Sequence, residues 1–175
     1  MSTSWSYPTD IQITLVVLFA AVIWFPGARH VMATEEWDCW TNEDQLSRMP
    51  DLLAQPARAV FPVLGRADVL DLVKDESEVV PGVRLVPAPG HTVGHCAVLF
   101  ESGVDRAVFL ADALLDEFQL VHPDWVSAVD MLPEQTVRTR TWLLDEAARD
   151  GSIVVAYHLA DIGLVERSQG RYRIS

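Results

Sequence analysis

Two histidines four residues apart, His91 and His95, stand in the stretch Pro87-Ala-Pro-Gly-His-Thr-Val-Gly-His95. On a helix that spacing would put both rings on one face. Pro87, Pro89, Gly90 and Gly94 rule out a regular helix, so the stretch reads as a glycine-rich turn between two apolar runs. Gly90 permits backbone angles that other residues resist, so the His91 ring can project from a tight bend. Two further groups of suitable chemistry follow. Asp112 closes the run Ala107-Val-Phe-Leu-Ala111, and His158 closes Ile153-Val-Val-Ala-Tyr157. If those runs are neighbouring strands of one sheet, His91, Asp112 and His158 meet at its edge. Imidazole and carboxylate are the donors that hold zinc, iron or manganese in hydrolytic sites.

Each residue also has an ordinary reading. A lone His91 would be a turn residue bonded to nearby backbone, and the glycine-rich context is what favours a ligand. His95 opens a strand and reads as an inward-facing histidine that orients the turn. Asp112 could cap the next segment, because Asp caps well, or stand at the strand end as a bridging ligand. His158 is open in the same way. His122, ahead of Pro123, reads as a surface or pocket-lining residue, and His30, beside Arg29, as solvated. Covalent chemistry has no comparable constellation: there is no Gly-x-Ser-x-Gly, and Cys96 sits inside a strand pattern.

The elements that must position these groups follow from the pattern. Ile13 to Leu18 is an apolar run suited to a strand covered on both faces. Arg29 to Met32 is a short strand. Thr34 is then a helix N-cap, with Glu35 and Glu36 favoured in the first turn, and this helix carries Trp37 and Trp40 to near Asn42. Residues 43–80 read as helical and irregular, broken at Pro50, Pro56 and Pro62, with a short helix at Val69 to Val73 and an acidic surface loop at Asp75-Glu-Ser-Glu78. Val83 to Val86 is a strand. His95 to Glu101 and Arg106 to Ala111 form a hairpin. Asp116 to Val129 is loop-like. Glu134 to Arg149 is the clearest helix, with Pro133 before it, an apolar stripe of Val137, Leu143, Leu144 and Ala147, and Gly151 as its stop. Ile153 to Tyr157 is a strand, followed by the pair Gly163 to Arg167 and Arg171 to Ile174.

The chain has 175 residues, 50% hydrophobic and 22% charged, which suits a single domain over 1–175 with a buried core. Its 25 acidic and 13 basic residues give a net charge of −12. That argues against nucleic acid or an anionic membrane as a partner, since both need clustered Lys and Arg. The two cysteines, Cys39 and Cys96, read as reduced thiols of a cytoplasmic protein. The apolar run Ile11 to Phe25 is short for a membrane span, which needs roughly twenty residues. The ten residues before it carry no Lys or Arg, so it makes a poor signal peptide. It reads as a buried strand and turn, with a membrane tether as the alternative.

Pro89-Gly-His-Thr-Val-Gly-His95, Phe109-Leu-Ala-Asp112 and Ala156-Tyr-His158 together resemble the metal-binding signature of the metallo-β-lactamase-fold hydrolases. His122-Pro-Asp-Trp125, Thr139-Arg140 and Leu143-Leu144 resemble the branch with lactonase-like and methyl-parathion-hydrolase-like enzymes. The likeness runs over about residues 8–175, with its specific motifs all after residue 87. It implies an α+β fold, two sheets packed face to face between helices (αββα). It further implies that His91 binds a first metal, Asp112 bridges, and His158 binds a second metal, zinc or another divalent ion. His95, Thr92 and His122 would support or line the pocket. Ala111 stands where the family usually has glycine.

One signature is missing. The family's His-x-His-x-Asp-His motif follows an apolar strand, and here its place is held by Phe19-Ala-Ala-Val-Ile-Trp24, which contains no ligand. The resemblance therefore implies a partial sandwich with one sheet incomplete and half of the metal cage gone. Three expectations follow. One is hydrolysis of a small ester, lactone or phosphoester, impaired or lost, with partial metal occupancy. The alternative is a degenerate, non-catalytic module for weak metal binding or assembly. Uncovered apolar sheet surface, in either case, favours self-association.

Overall fold

The computed structural model describes residues 28–66 and 68–175. Ile13 to Leu18, the apolar run to Phe25 and Phe19 to Trp24 lie outside the described residues. The chain divides into two compact units, Met1–Met32 with Trp37–Leu72, and Ala33–Glu36 with Val73–Ser175. The α+β architecture that the resemblance implied is present. No helix among the described residues is long and apolar enough to cross a membrane.

The first unit holds helices α2 (Glu43–Leu46) and α3 (Asp51–Arg66) and, from Trp37 on, α1 (Thr34–Thr41), whose first turn, Thr34–Glu36, belongs to the second; strands β1 (His30–Ala33) and β2 (Leu70–Val73) pair in a two-stranded sheet. The Asn42 side chain accepts the Gln45 amide at 3.1 Å and so starts α2. Ala54, Ala57, Val60, Phe61 and Leu64 bury one face of α3, and Trp37 and Trp40 set their rings 5.8 and 6.2 Å from Phe61. Three sequence expectations fail here. Pro56 and Pro62 do not break the helix. Both lie on its exposed side, where a carbonyl that loses its amide partner can be solvated. Val69 to Val73 is not a helix: Leu70–Val73 pairs with β1, and the His30 amide donates to the Val69 carbonyl at 2.7 Å. Five apolar-rich residues carry too little periodicity to separate the two states, and pairing decides. His30 is buried rather than solvated, with Nδ1 3.1 Å from the Ala28 carbonyl oxygen.

The second unit is a seven-stranded sheet in chain order: β3 (Ser77–Val80), β4 (Val83–Pro87), β5 (Cys96–Ser102), β6 (Asp105–Phe109), β7 (Ile153–Val155), β8 (Gly163–Ser168) and β9 (Arg171–Ile174). Every neighbouring pair is antiparallel except β6 and β7. That parallel step needs a long crossover, which the chain supplies as α4 (Phe118–Val121) and α5 (Pro133–Asp150). Pro133 opens α5, and Gly151, at φ +71°, closes it by donating to the Ala147 carbonyl at 3.0 Å. Leu143, Leu144 and Ala147 of α5 join Val108, Leu110 and Val154 in the main core. The expected stripe is only half right. Toward the N-terminus the buried positions are Thr136, Thr139 and Arg140, while Val137 is half-buried. The acidic loop is also shorter than expected, since Ser77–Val80 pairs with β4. The segment from Asp116 to Val129 contains α4, started by the Asp116 carboxylate accepting the Phe118 amide at 2.9 Å.

Register places a row of side chains on the sheet face away from the Leu99, Val108 and Val154 row. Phe100 pairs with Ala107, Ala107 with Ile153, and Ile153 with Leu164. Phe100, Ile153 and Leu164 remain 43–48% exposed.

Candidate functional site

The ends of four adjacent strands build the site. β4 runs antiparallel to β5 and β5 to β6, while β7 runs parallel to β6. The end of β4, the start of β5 and the ends of β6 and β7 therefore lie at one edge. The turn 88–95 joins β4 to β5, a 3-10 turn at Ala111–Ala113 follows β6, and His158 stands just past β7.

The turn is held from both sides. Gly90 sits at φ +148°, and a Cβ there would stand 2.5 Å from the Thr136 Cα of α5. Gly94 packs so tightly that a Cβ would lie 2.2 Å from the Glu36 backbone nitrogen. Glu36 accepts from Thr92 Oγ1 at 2.6 Å and from the Gly94 amide at 2.9 Å. Thr139 Oγ1 donates to the Pro89 carbonyl at 2.6 Å. The Met131 and Leu132 amides donate to the carbonyls of His91 and Gly90 at 3.0 and 2.9 Å.

His95 lies beneath the turn. Its Nδ1 donates to the Ala88 carbonyl at 2.9 Å, and its Nε2 accepts the Asp112 amide at 3.1 Å. Both ring nitrogens are thus used to fasten one strand end to the next. Burial, the largest influence, holds its pKa below the ordinary imidazole value. Neighbouring Cys96 has its thiol pushed up to about 12, first by burial and then by Glu36 and Glu35.

Above His95, Asp112 stands between two imidazoles. Its Oδ1 lies 3.1 Å from His158 Nε2, and its Oδ2 lies 3.9 Å from His91 Nε2. Asp112 and His158 face solvent, whereas His91 is 18% exposed. Thr92 does not reach toward the carboxylate but braces the turn through Glu36. His122 stacks on Trp125, with ring centroids 4.4 Å apart and planes within 10°.

Two supporting residues had no role assigned from the sequence, Arg140 having entered only as part of the Thr139-Arg140 resemblance. Asp130, whose side chain is fully buried, lies 3.1 Å from His91 Nδ1. Arg140, 0% exposed, donates to the carbonyls of Ala113 at 2.7 Å, Pro123 at 2.9 Å and Trp125 at 2.6 Å. Its Nη2 has no hydrogen-bond partner among the described residues. Burial lowers its pKa, opposed by the charge of Asp130. Nothing in the spacing of either residue points to a loop 39 residues from its partner or to three carbonyls in two turns. The Thr139-Arg140 dipeptide was the one available hint.

The donor set can be tested against a bound metal. Each Asp112 oxygen faces one imidazole, which gives two donors at either position. Catalytic zinc takes three protein ligands and leaves a fourth position open. No group of three or more His, Cys, Asp or Glu among the described residues could hold an ion, and beyond them the chain contains one residue of these types, Asp10. The residues present do not fit a tightly held metal. They offer a solvent-facing carboxylate–imidazole pair and a second imidazole fixed in place, a set able to take up a proton or a weakly held cation.

A cleft of about 580 Å³ opens beside His158 and is lined by α4, the loop to Asp161 and β9. Its volume suits a small molecule.

The family model for the metallo-beta-lactamase superfamily matches residues 17–158. No curated protein matches the chain significantly. Among solved structures, the hydrolase AbOPH of the beta lactamase superfamily is similar with a TM-score of 0.78 at 20% identity, over 90% of this chain and 58% of that one. AidC, a dizinc quorum-quenching lactonase in complex with its product, gives 0.71 at 20% identity, over 86% and 55%. An N-acyl homoserine lactone hydrolase with product bound at the catalytic metal centre gives 0.53 at 17%, over 74% and 46%. At these identities the likeness shows the fold. The chain spans little more than half the length of the first two.

Proposed function

The chain belongs to the metallo-beta-lactamase superfamily, and from that premise we propose that it is a hydrolase-fold protein whose attack on ester, lactone or phosphoester bonds is impaired or lost for want of metal ligands. The observation that carries this reading is the donor count around Asp112: one imidazole at each carboxylate oxygen. A hydrolytic metal both lowers the pKa of its water and polarises the substrate oxygen, and it must be held firmly to do either. Two donors at either position, with Asp112 and His158 facing solvent, leave zinc or another divalent ion at partial occupancy.

The cleft beside His158 would be the substrate side of such a site. His158 lines the 580 Å³ cleft, whose apolar wall includes Leu120, Leu159 and Ile174. Asp116, Glu117, Asp161 and Arg173 line the same cleft, so a small ester or lactone with polar groups beside an apolar one suits it, and the net charge of −12 disfavours anionic partners such as nucleic acid. The two free thiols suit the cytoplasm.

The test is turnover of an N-acyl homoserine lactone and an aryl ester by the purified chain with added zinc. The expected rate equals that of the His158→Ala variant. Hydrolysis that is abolished both by a chelator and by His158→Ala would overturn the reading in favour of a working hydrolase. A second reading, an assembly module, is favoured by the exposed row of Phe100, Ile153 and Leu164.

A further inference from the structure

We propose that Asp130 is a positioning residue that fixes the tautomer of His91, so that the bare Nε2 lone pair of His91 is turned toward Asp112. The inference deepens the reading of this site as a hydrolytic remnant, but its physical content does not need turnover.

Asp130 Oδ1 lies 3.1 Å from His91 Nδ1. A carboxylate only accepts hydrogen bonds, so the proton of this contact belongs to His91 Nδ1. The carboxylate is itself held in place. Its Oδ2 accepts the Ser127 amide at 2.7 Å, and its own amide donates to the Ser127 carbonyl at 3.1 Å. The next two residues, Met131 and Leu132, bond the backbone of His91 and Gly90. Three successive residues therefore grip the His91 turn, and the buried one grips the ring.

The other side of the ring is consistent with this. His91 Nε2 and Asp112 Oδ2 stand 3.9 Å apart, too far for a hydrogen bond. With the proton on Nδ1, two lone pairs face each other across that gap. On the far side of Asp112 the contact is short, 3.1 Å to His158 Nε2, so there the proton sits on Nε2. Two histidines of one site thus hold opposite tautomers, and two carboxylates set them. His95 supplies an internal reference, since the Ala88 carbonyl and the Asp112 amide require Nδ1–H and a bare Nε2.

Long-range proton–nitrogen correlation spectra of the full chain, at a pH where the imidazoles are neutral, read each tautomer directly. A His91→Gln variant assigns the signals. The expected result is Nδ1–H on His91, favoured about tenfold or more by a hydrogen bond to a charged, buried acceptor. Asp130→Ala should abolish that preference, while Asp112→Ala leaves it intact. An Nε2–H His91 in the unaltered chain would overturn the proposal, as would a preference lost in Asp112→Ala or kept in folded Asp130→Ala. If Asp130→Ala does not fold, the unaltered chain and Asp112→Ala decide the matter. Zinc-dependent turnover, tested separately, bears on the hydrolase reading and leaves the tautomer untouched.

Discussion

Asp112 Oδ1 lies 3.1 Å from His158 Nε2, although 46 residues separate the two in the chain. What brings them together is the parallel pairing of β6 with β7, in which Phe109 stands opposite Val155. Each strand then delivers its polar residue three positions later at the same edge. The crossover through α5 that makes the pairing parallel also supplies Arg140, which ties down the Ala113 carbonyl directly after Asp112.

Arg140→Met should therefore be severe. It strips the donors from the carbonyls of Ala113 and Pro123 and leaves that of Trp125 with Gln119 Nε2 alone, at 3.2 Å, and each carbonyl left without a partner costs about 1–3 kcal/mol. A loss of about 3 kcal/mol or more is expected in urea unfolding, and Arg140→Lys should fall well short of restoring it, because a single ammonium cannot reproduce the guanidinium fork. A Met variant as stable as the parent would remove Arg140 from its structural role.

Ala111 carries φ +46°, in the left-handed region that favours glycine. Such a conformation costs a non-glycine residue about 1 kcal/mol or more, offset in part by the greater freedom of glycine in the unfolded chain. Ala111→Gly should raise stability by about 0.5–1 kcal/mol, a rise in Tm of about 2 °C. A lower Tm would mean that the methyl group packs better than its backbone sits.

How far the sequence could be read depended on locality. Asp112 and His158 were legible because each terminates an apolar run, and His91 because of its glycine-rich turn, and the structure sets them along one sheet edge. The strand at Leu70–Val73 and the unbroken α3 were not, because pairing partners and solvent exposure are tertiary facts. Asp130 and Arg140 were hidden for the same reason: a polar residue in a loop or on a helix looks like surface until its burial is known.

Cys96 gives a prediction on pH. Burial raises its thiol from 9.0 to about 12, so the native chain binds this proton more tightly than the unfolded chain does. The thiol should resist iodoacetamide in the native state from neutral pH to well above its ordinary value, and react once the chain is unfolded. The stabilising contribution is whole below pH 9 and is eroded as pH climbs toward 12. Rapid alkylation of Cys96 in the native chain at pH 8 would contradict this.

The row Phe100, Ala107, Ile153 and Leu164 crosses four strands with three of its large side chains 43–48% exposed. Contiguous apolar surface of this kind drives association. Sedimentation should show the chain self-associating, and Ile153→Glu should shift it toward monomer. A clean monomer at working concentration would count against the assembly reading.

How strongly the edge occupied by His91, Asp112 and His158 holds an ion separates a hydrolytic remnant from a working metal centre. Metal counted on the purified chain after exposure to zinc and exhaustive dialysis measures this directly. Well under one zinc per chain is expected, with no loss of folding when a chelator is added. Two tightly retained metals per chain, released by His158→Ala, would contradict it.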